Sequence, residues 1–251
     1  MPQVTIKDLL EAGAHFGHQT RRWNPKMKKY IFMARNKIHI IDLQHTLAGL
    51  ERAGEVVAQV VSAGNSILFV GTKKQAMDII EEEAVRCGMF YVTSRWLGGM
   101  LTNFQTIKMS VRRLRTLERM REDGSFQSLT KKEGARLEKE LGKLQKTFVG
   151  IKEMHRLPGA VFIVDTKKEA IAVNEARRLE IPVIGLVDTN CDPDEVDIPI
   201  PANDDAIRSI RIFSRYIGDT VMEARAAAPE VSAPAGGDAE EAHSAAAAQN
   251  S

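Results

Sequence analysis

His18, Asp188, Asp204 and Asp205 are residue types that together could form a metal centre: one imidazole and several carboxylates, the donors a divalent cation accepts. They are far apart in the chain, so such a site needs a fold in which strand ends bring carboxylates together. The acidic run Asp188 to Glu195, with Asp204 and Asp205 downstream, has three other readings. It can neutralise the basic N-terminal segment, receive a protein partner, or cap the last helix, and capping by Asp204 is the leading single role. His15 and His18 form the only close histidine pair. Their loop position suits packing or polar contacts better than catalytic base work.

A second chemistry is phosphate recognition. From Arg21 to Lys37 the chain carries seven Lys or Arg and no acid, interleaved with Trp23 and Tyr30. Cations meet phosphates while an aromatic ring offers a stacking face, although core anchoring is the simpler role for the ring of Trp23 and for that of Trp96. Ser94-Arg95-Trp96-Leu97-Gly98-Gly99-Met100-Leu101-Thr102-Asn103 is a second such cluster, and its glycines permit close backbone approach. A Thr-Lys-Lys turn occurs twice, at Thr72-Lys73-Lys74 and at Thr166-Lys167-Lys168. Each reads as a threonine cap followed by two lysines in a first helical turn, where they oppose the helix dipole and invite an anion. An ordinary capped turn with solvated lysines fits each copy equally well.

Catalytic signatures are missing. The turn Gly71-Thr72-Lys73-Lys74 is neither a dinucleotide glycine pattern nor a Walker loop, and the sequence contains no Gly-x-Ser-x-Gly and no His-Glu-x-x-His. A sheet architecture does not by itself imply an enzyme.

These residues must be held by elements that the hydrophobic pattern predicts. Thr5 caps a short helix reaching about Gly13, a basic loop-like stretch runs to Tyr30, Lys37 to Asp42 is a strand, and Leu43 to Ala63 is a helix. The two Thr-Lys-Lys turns lie in matching strand-turn-helix-strand units, with Glu81 aligned on Glu175 and Phe90 on Ile184. Strands are expected at Ile67 to Val70, Met89 to Val92, Val161 to Val164 and Val183 to Val187, with a proline-bounded edge strand at Ile198 to Ile200. Alternating strands and helices imply a doubly wound parallel sheet covered on both faces.

Residues 103–155 interrupt the units with two helical patterns, Phe104 to Leu117 and Leu137 to Ile151, joined by a turn at Asp123-Gly124-Ser125. The second pattern alternates spacings of four and three, the seam of a coiled coil. An antiparallel hairpin projecting from the sheet is expected there. It carries fourteen Lys or Arg against seven acids between Gln105 and Leu157, an excess that favours a polyanion partner. The domain boundaries are therefore 1–102 with 156–225 for the α/β domain and its basic N-terminal segment, 103–155 for the inserted hairpin, and 226–251 for an Ala-rich tail without a core, expected to be disordered.

The 251 residues carry a formal net charge of +2, which conceals the opposed basic and acidic patches. Cys87 and Cys191 have no paired spacing, and neither a membrane-spanning run nor a signal peptide is found. A soluble cytoplasmic protein is expected.

With these residues in place, the chain resembles the bacterial family of small-subunit ribosomal protein two. The resemblance rests on Leu10-Glu11-Ala12-Gly13-Ala14-His15-Phe16-Gly17-His18, Trp23-Asn24-Pro25-Lys26-Met27, Trp96 to Asn103, Pro158-Gly159-Ala160-Val161 and Pro199 to Ile207, in order over about residues 4–225. It implies a flavodoxin-like α/β domain with a protruding coiled coil, bound to small-subunit rRNA between head and body. It also implies a structural role without catalysis, contact with neighbouring ribosomal proteins, and help in holding the mRNA-binding ribosomal protein one. RNA contact is then assigned to Arg21, Arg22, Lys26, Lys28, Lys29, Arg35, Lys73, Lys74, Arg95, Asn103, Lys108, Arg112 and Arg113. Partner contact is assigned to Asp188, Asp204 and Asp205. No cofactor is expected beyond a candidate divalent cation at the carboxylates with His18, and neither a membrane nor a small-molecule substrate. The alternative is a cytosolic nucleotide-binding α/β enzyme that uses the two Thr-Lys-Lys turns.

Overall fold

The computed structural model describes residues 2–128 and 130–227. Thr5 caps α1 (Ile6–Glu11) reciprocally with Asp8: the Asp8 amide donates to the Thr5 hydroxyl, and the Thr5 amide to the Asp8 carboxylate. The segment that follows departs from the loop expected up to Tyr30. It contains β1 (Phe16–Gln19) and two short 3-10 turns, Thr20–Arg22 and Pro25–Tyr30. With β2 (Ile31–Arg35) and β3 (Ile38–Ile41) it forms a separate antiparallel sheet in the order β1-β3-β2. The turn between β2 and β3 is Asn36-Lys37, both at positive φ, the geometry of a two-residue hairpin. Lysine at the second position, where glycine is usual, hides this hairpin from a sequence reading.

The main sheet is parallel, in the order β5-β4-β6-β7-β8: β4 (Ile67–Val70), β5 (Phe90–Val92), β6 (Ala160–Val164), β7 (Val183–Val187) and β8 (Ile198–Pro201). All four ladders are parallel. The proline-containing β8 lies at an edge, where a strand tolerates missing donors. Period-two alternation sends side chains to two cores. Phe69, Phe162 and Leu186 face α2 (Leu43–Ser62), α3 (Lys74–Arg86) and α7 (Ile207–Ala227). Leu68, Val70, Val161 and Ile163 face α6 (Ala170–Arg178) and the residues inserted between β5 and β6.

That insertion consists of α4 (Phe104–Glu122) and α5 (Lys131–Phe148), the latter opened by a Thr130–Glu133 capping box. Side-chain pairs Arg113–Glu140, Glu118–Gln145 and Arg121–Glu138 tie the two helices together. Leu114, Leu117, Leu141 and Phe148 belong to the same buried cluster as the sheet face. At the root, a Cβ on Gly150 would collide with the Tyr91 carbonyl, so the chain after α5 lies directly on β5.

Three expectations about helix starts are corrected. Thr72 does not cap α3: Lys73, the residue just before that helix, is extended and makes no side-chain cap, and the Thr72 hydroxyl donates to Glu169. Thr166 is fully buried and α6 begins only at Ala170, so Lys167 and Lys168 precede that helix. Ahead of α7 it is Asn203, not Asp204, whose side chain accepts the amides of Asp205 and Ala206. For Thr72 and Asp204 a contact across the sheet end competed for the side chain and won. The expected tail starts inside α7, which ends at Ala227, and residues 228–251 lie outside the described residues.

Candidate functional site

The carboxyl ends of β4, β6, β7 and β8 deliver Lys73, Asp165, Asp188 and Asp204 to one place. Lys73 Nζ lies 2.7 Å from Asp204 Oδ1, 2.5 Å from Asp205 Oδ1 and 3.4 Å from Asp165 Oδ2. β1 adds His18. It can approach because Gly17 has no side chain: a Cβ there would stand 2.6 Å from Thr189 Cγ2. The His18 amide donates to Thr189 Oγ1 and the Asn24 amide to the Thr189 carbonyl, which fastens the small sheet to the end of β7. His18 Nδ1 then stands 3.0 Å from Asp188 Oδ2 and its Nε2 3.5 Å from Asp205 Oδ2.

Donor atoms of His18, Asp188, Asp204 and Asp205 all lie within 4.8 Å of one another, and Asp165, Cys191 and Asp204 make a second such group. Asp188 and Asp204 are buried, while Asp205 is 53% exposed in its side chain. Asp204 Oδ2 is buried without a hydrogen-bond donor among the described residues. Four carboxylates thus face one ammonium and one imidazole, an excess of negative charge away from water. Burial pushes the Asp204 carboxyl up to about 7, and repulsion from Asp188 and Asp165 adds to the effect. Contact with Asp188 holds His18 above its ordinary value. Burial works against the Lys73 ammonium, but Asp204 and its neighbours outweigh it and raise that group. Asp165, in the left-handed region at φ 65, also accepts the Lys168 amide.

This cluster can hold a cation but has no nucleophile. Burial pushes the Cys191 thiol up to about 12 and the Cys87 thiol to about 11, so neither is a thiolate at neutral pH. His15 is stacked near Phe16, with ring centroids 4.0 Å apart, and plays no part in the cluster.

The basic residues divide by what they touch. Lys73 is spent on the three carboxylates. Lys26 bridges Asp192 at 2.7 Å and Asp194 at 3.1 Å, so part of the acidic run neutralises the basic segment. Arg113 is paired with Glu140, and Arg21 donates to Gln19. Arg22, Lys28, Arg35, Lys74, Arg95 and Arg112 are exposed and have no acid within ion-pair distance among the described residues. Lys29 is exposed, with its ammonium 4.8 Å from the Tyr30 ring centroid. Lys108 and Arg112 share a groove of about 150 Å³ beside α4, and Asn103 is exposed just before that helix.

Sequence reasoning missed Asp165 and Glu175 as functional residues. Asp165 follows β6 as Asp188 follows β7, and that shared position was the available clue. Glu175 is buried in α6, where its carboxylate accepts the Trp96 indole N–H, the Gly99, Leu101 and Thr102 amides and the Thr102 hydroxyl. Burial opposes ionisation, yet these donors hold Glu175 below the usual carboxylate range. One charged residue therefore fixes the loop Trp96 to Thr102 in shape.

The geometry defines a doubly wound α/β protein with exposed cations and a buried carboxylate cluster. Residues 9–224 match the family model described as Ribosomal protein S2. Two similar proteins, from two strains of Treponema pallidum, one of them strain Nichols, are both described as small ribosomal subunit protein uS2. Each is 61% identical over 224 residues, covering 89% of this chain and 77% of the relative. The chain belongs to the ribosomal protein S2 family. It is accordingly a structural, non-enzymatic protein of the small ribosomal subunit and resides with the ribosome in the cytoplasm. Among the described residues no helix is long and apolar enough to cross a membrane.

Proposed function

We propose that this protein binds small-subunit rRNA through the exposed cations of its N-terminal sheet and of the α4–α5 hairpin. The observation that carries this reading is the set Arg22, Lys28 and Arg35, three exposed cations left without acidic partners in a segment that contains no acid. The hairpin, 103–155, acts as a coiled-coil arm on the α/β domain, 1–102 with 156–225, and extends the basic surface. Ribosome sedimentation tests the reading: a chain with Arg21, Arg22, Lys28 and Lys29 replaced by Ala should enter small subunits poorly. Unchanged incorporation rejects it.

The acidic cluster has a separate role. It takes a divalent cation through His18, Asp188, Asp204 and Asp205, and its half-exposed Asp205 side faces a neighbouring protein, with ribosomal protein one as the partner the family resemblance supplies. Supporting the cation are the unpartnered Asp204 Oδ2 and the uncompensated charge. One imidazole and several carboxylates suit zinc or manganese. Calorimetry with each metal tests this, and the signal should vanish in Asp188→Asn. If neither metal binds, the cluster is an internal ion-pair network. Retention of protein one on ribosomes carrying Asp188→Asn and Asp205→Asn tests the partner separately, and full retention rejects it.

A further inference from the structure

A cleft of about 630 Å³ opens beside the carboxyl ends of β4, β5 and β6, with Thr72 but not Lys73 in its lining. Its place in the topology is informative. The chain passes from β4 to β5 on one side, then through the hairpin to β6 on the other, so strand order reverses between β4 and β6. In open parallel sheets this reversal leaves a crevice outside the strand ends where ligands bind. Thr72 follows β4, Thr93 to Leu97 follow β5, and Lys168 to Ile171 follow β6, and all of these segments contribute to the lining.

Its chemistry is mixed in a particular way. Arg95 and Lys146 are exposed and have no acidic partner among the described residues, and Lys168 donates to the Thr72 carbonyl at 3.1 Å. Glu169 is the only acid in the lining, and its Oε1 is occupied by the Thr72 amide and hydroxyl. Burial pushes the Glu169 carboxyl upward, against the Thr72 hydrogen bonds and the charge of Lys168. The Thr93 and Ser94 hydroxyls have no hydrogen-bond partner among the described residues. Leu97, 37% exposed, and Ile171, 55% exposed, add two large apolar side chains to the same lining. The mouth is held in shape by Glu175, which anchors the Trp96 indole and the backbone after it.

From this geometry we infer that the switch-point cleft is a nucleotide site. It takes a nucleoside monophosphate with its phosphate on Arg95, Lys146 and Lys168 and its base against Leu97 and Ile171. Cations and free hydroxyls recognise the phosphate through charge-assisted hydrogen bonds, and the apolar wall accepts a base face without selecting its edge. The ligand is either a free mononucleotide or one nucleotide extruded from an RNA strand. The site is distinct from the N-terminal cations and does not depend on their reading. No chemistry on the nucleotide is implied.

Titration calorimetry on the full chain with adenosine 5′-monophosphate tests the inference. Saturable binding is expected, with adenosine and inorganic phosphate each weaker by at least about tenfold, the loss that follows removal of a charge-assisted contact or of the base. Arg95→Ala with Lys146→Ala should weaken the mononucleotide by about tenfold or more, and Ile171→Glu should do so by repulsion. Arg52→Ala, which removes one positive charge from α2 outside the cleft, should leave binding unchanged, and thermal melts confirm that each variant is folded. A short RNA oligonucleotide that displaces the mononucleotide identifies an extruded nucleotide as the ligand; mononucleotide binding that the RNA does not displace identifies a free one. No saturable binding of either, or equal losses in the cleft and control variants, overturns the proposal. Cleft variants that lose the mononucleotide but keep normal rRNA binding leave the proposed N-terminal interface untouched.

Discussion

Lys73 and Asp204 meet at 2.7 Å in a place where Asp204 is completely buried and Lys73 is 13% exposed. One residue follows β4 and the other β8, so this ion pair ties the ends of strands separated by β6 and β7. Breaking a buried pair by removing one partner leaves a charge without compensation. Lys73→Ala is expected to lower unfolding free energy by about 3 kcal/mol. Lys73→Ala with Asp204→Asn should recover part of the loss. Urea midpoints of both variants check this, and a double variant no better than the single one would mean that the loss is packing alone.

The cluster should make stability fall as pH rises through neutrality in metal-free buffer. His18 is raised in the folded state, so its contribution is complete below about 6.5 and is lost as pH climbs past the folded value. The Asp204 carboxyl moves from 3.8 to about 7, so the folded state holds an extra proton between those values and stability declines across them. The urea midpoint should be lower at pH 8 than at pH 6, and Asp204→Asn should flatten the difference. A higher midpoint at pH 8 would contradict these directions.

Removing Glu175 should damage the loop after β5 more than a surface change would. Glu175→Ala leaves three amides, a hydroxyl and the Trp96 indole without their acceptor. Each unsatisfied buried group costs about 1–3 kcal/mol before relaxation or water entry. Glu175→Ala should therefore lose about 3 kcal/mol or more, and Glu175→Gln less. A near-ultraviolet spectrum reports the Trp96 environment, and wild-type stability with an unchanged spectrum would show that the loop holds without its anchor.

Binding to an rRNA fragment should weaken steeply with salt. Replacement of Arg21, Arg22, Lys28 and Lys29 by Ala should reduce the slope of log affinity against log salt by about 3, if each cation neutralises one phosphate. Lys73→Ala should leave the slope nearly unchanged because its ammonium is committed to carboxylates. Filter binding over a salt series separates the two, and equal slopes in wild type and the quadruple variant reject the N-terminal interface.

The hairpin should tolerate shortening at its tip better than excision at its root. Replacing residues 119–138 with a short Gly-Ser turn removes mainly exposed side chains and should leave the sheet folded. Deleting 103–155 takes Ile107, Phe148 and Ile151 out of the second core and should lower stability by several kcal/mol, at about 2–5 kcal/mol per large buried side chain lost. Circular dichroism and urea titration of both deletions decide. If the complete deletion is as stable as the tip deletion, the root does not belong to the core.

The parallel sheet was legible in the chain because short apolar runs bounded by turns state their own burial. Val183 to Val187 matches its strand in both bounds, and the prolines around Ile200 placed β8 at an edge. Helix periodicity likewise revealed α4 and α5, since one apolar face repeats at a spacing that local geometry fixes. Of the antiparallel N-terminal sheet only β3 was legible, as the strand expected at Lys37 to Asp42; β1 and β2 were not, because they are short and the hairpin turn uses lysine where glycine would have announced it. Convergence of four carboxylates was anticipated only in outline. Which acid is buried, which lysine it captures and whether a threonine caps a helix depend on distances between strand ends far apart in sequence. Thr72 illustrates the rule: its local sequence favours a cap, but Glu169 lies across the sheet end and accepts its hydroxyl at 2.5 Å. Local propensity set the elements, while the desolvation of charged groups, which exists only once the strands are packed, decided the partners of Lys73, Asp204 and Glu175.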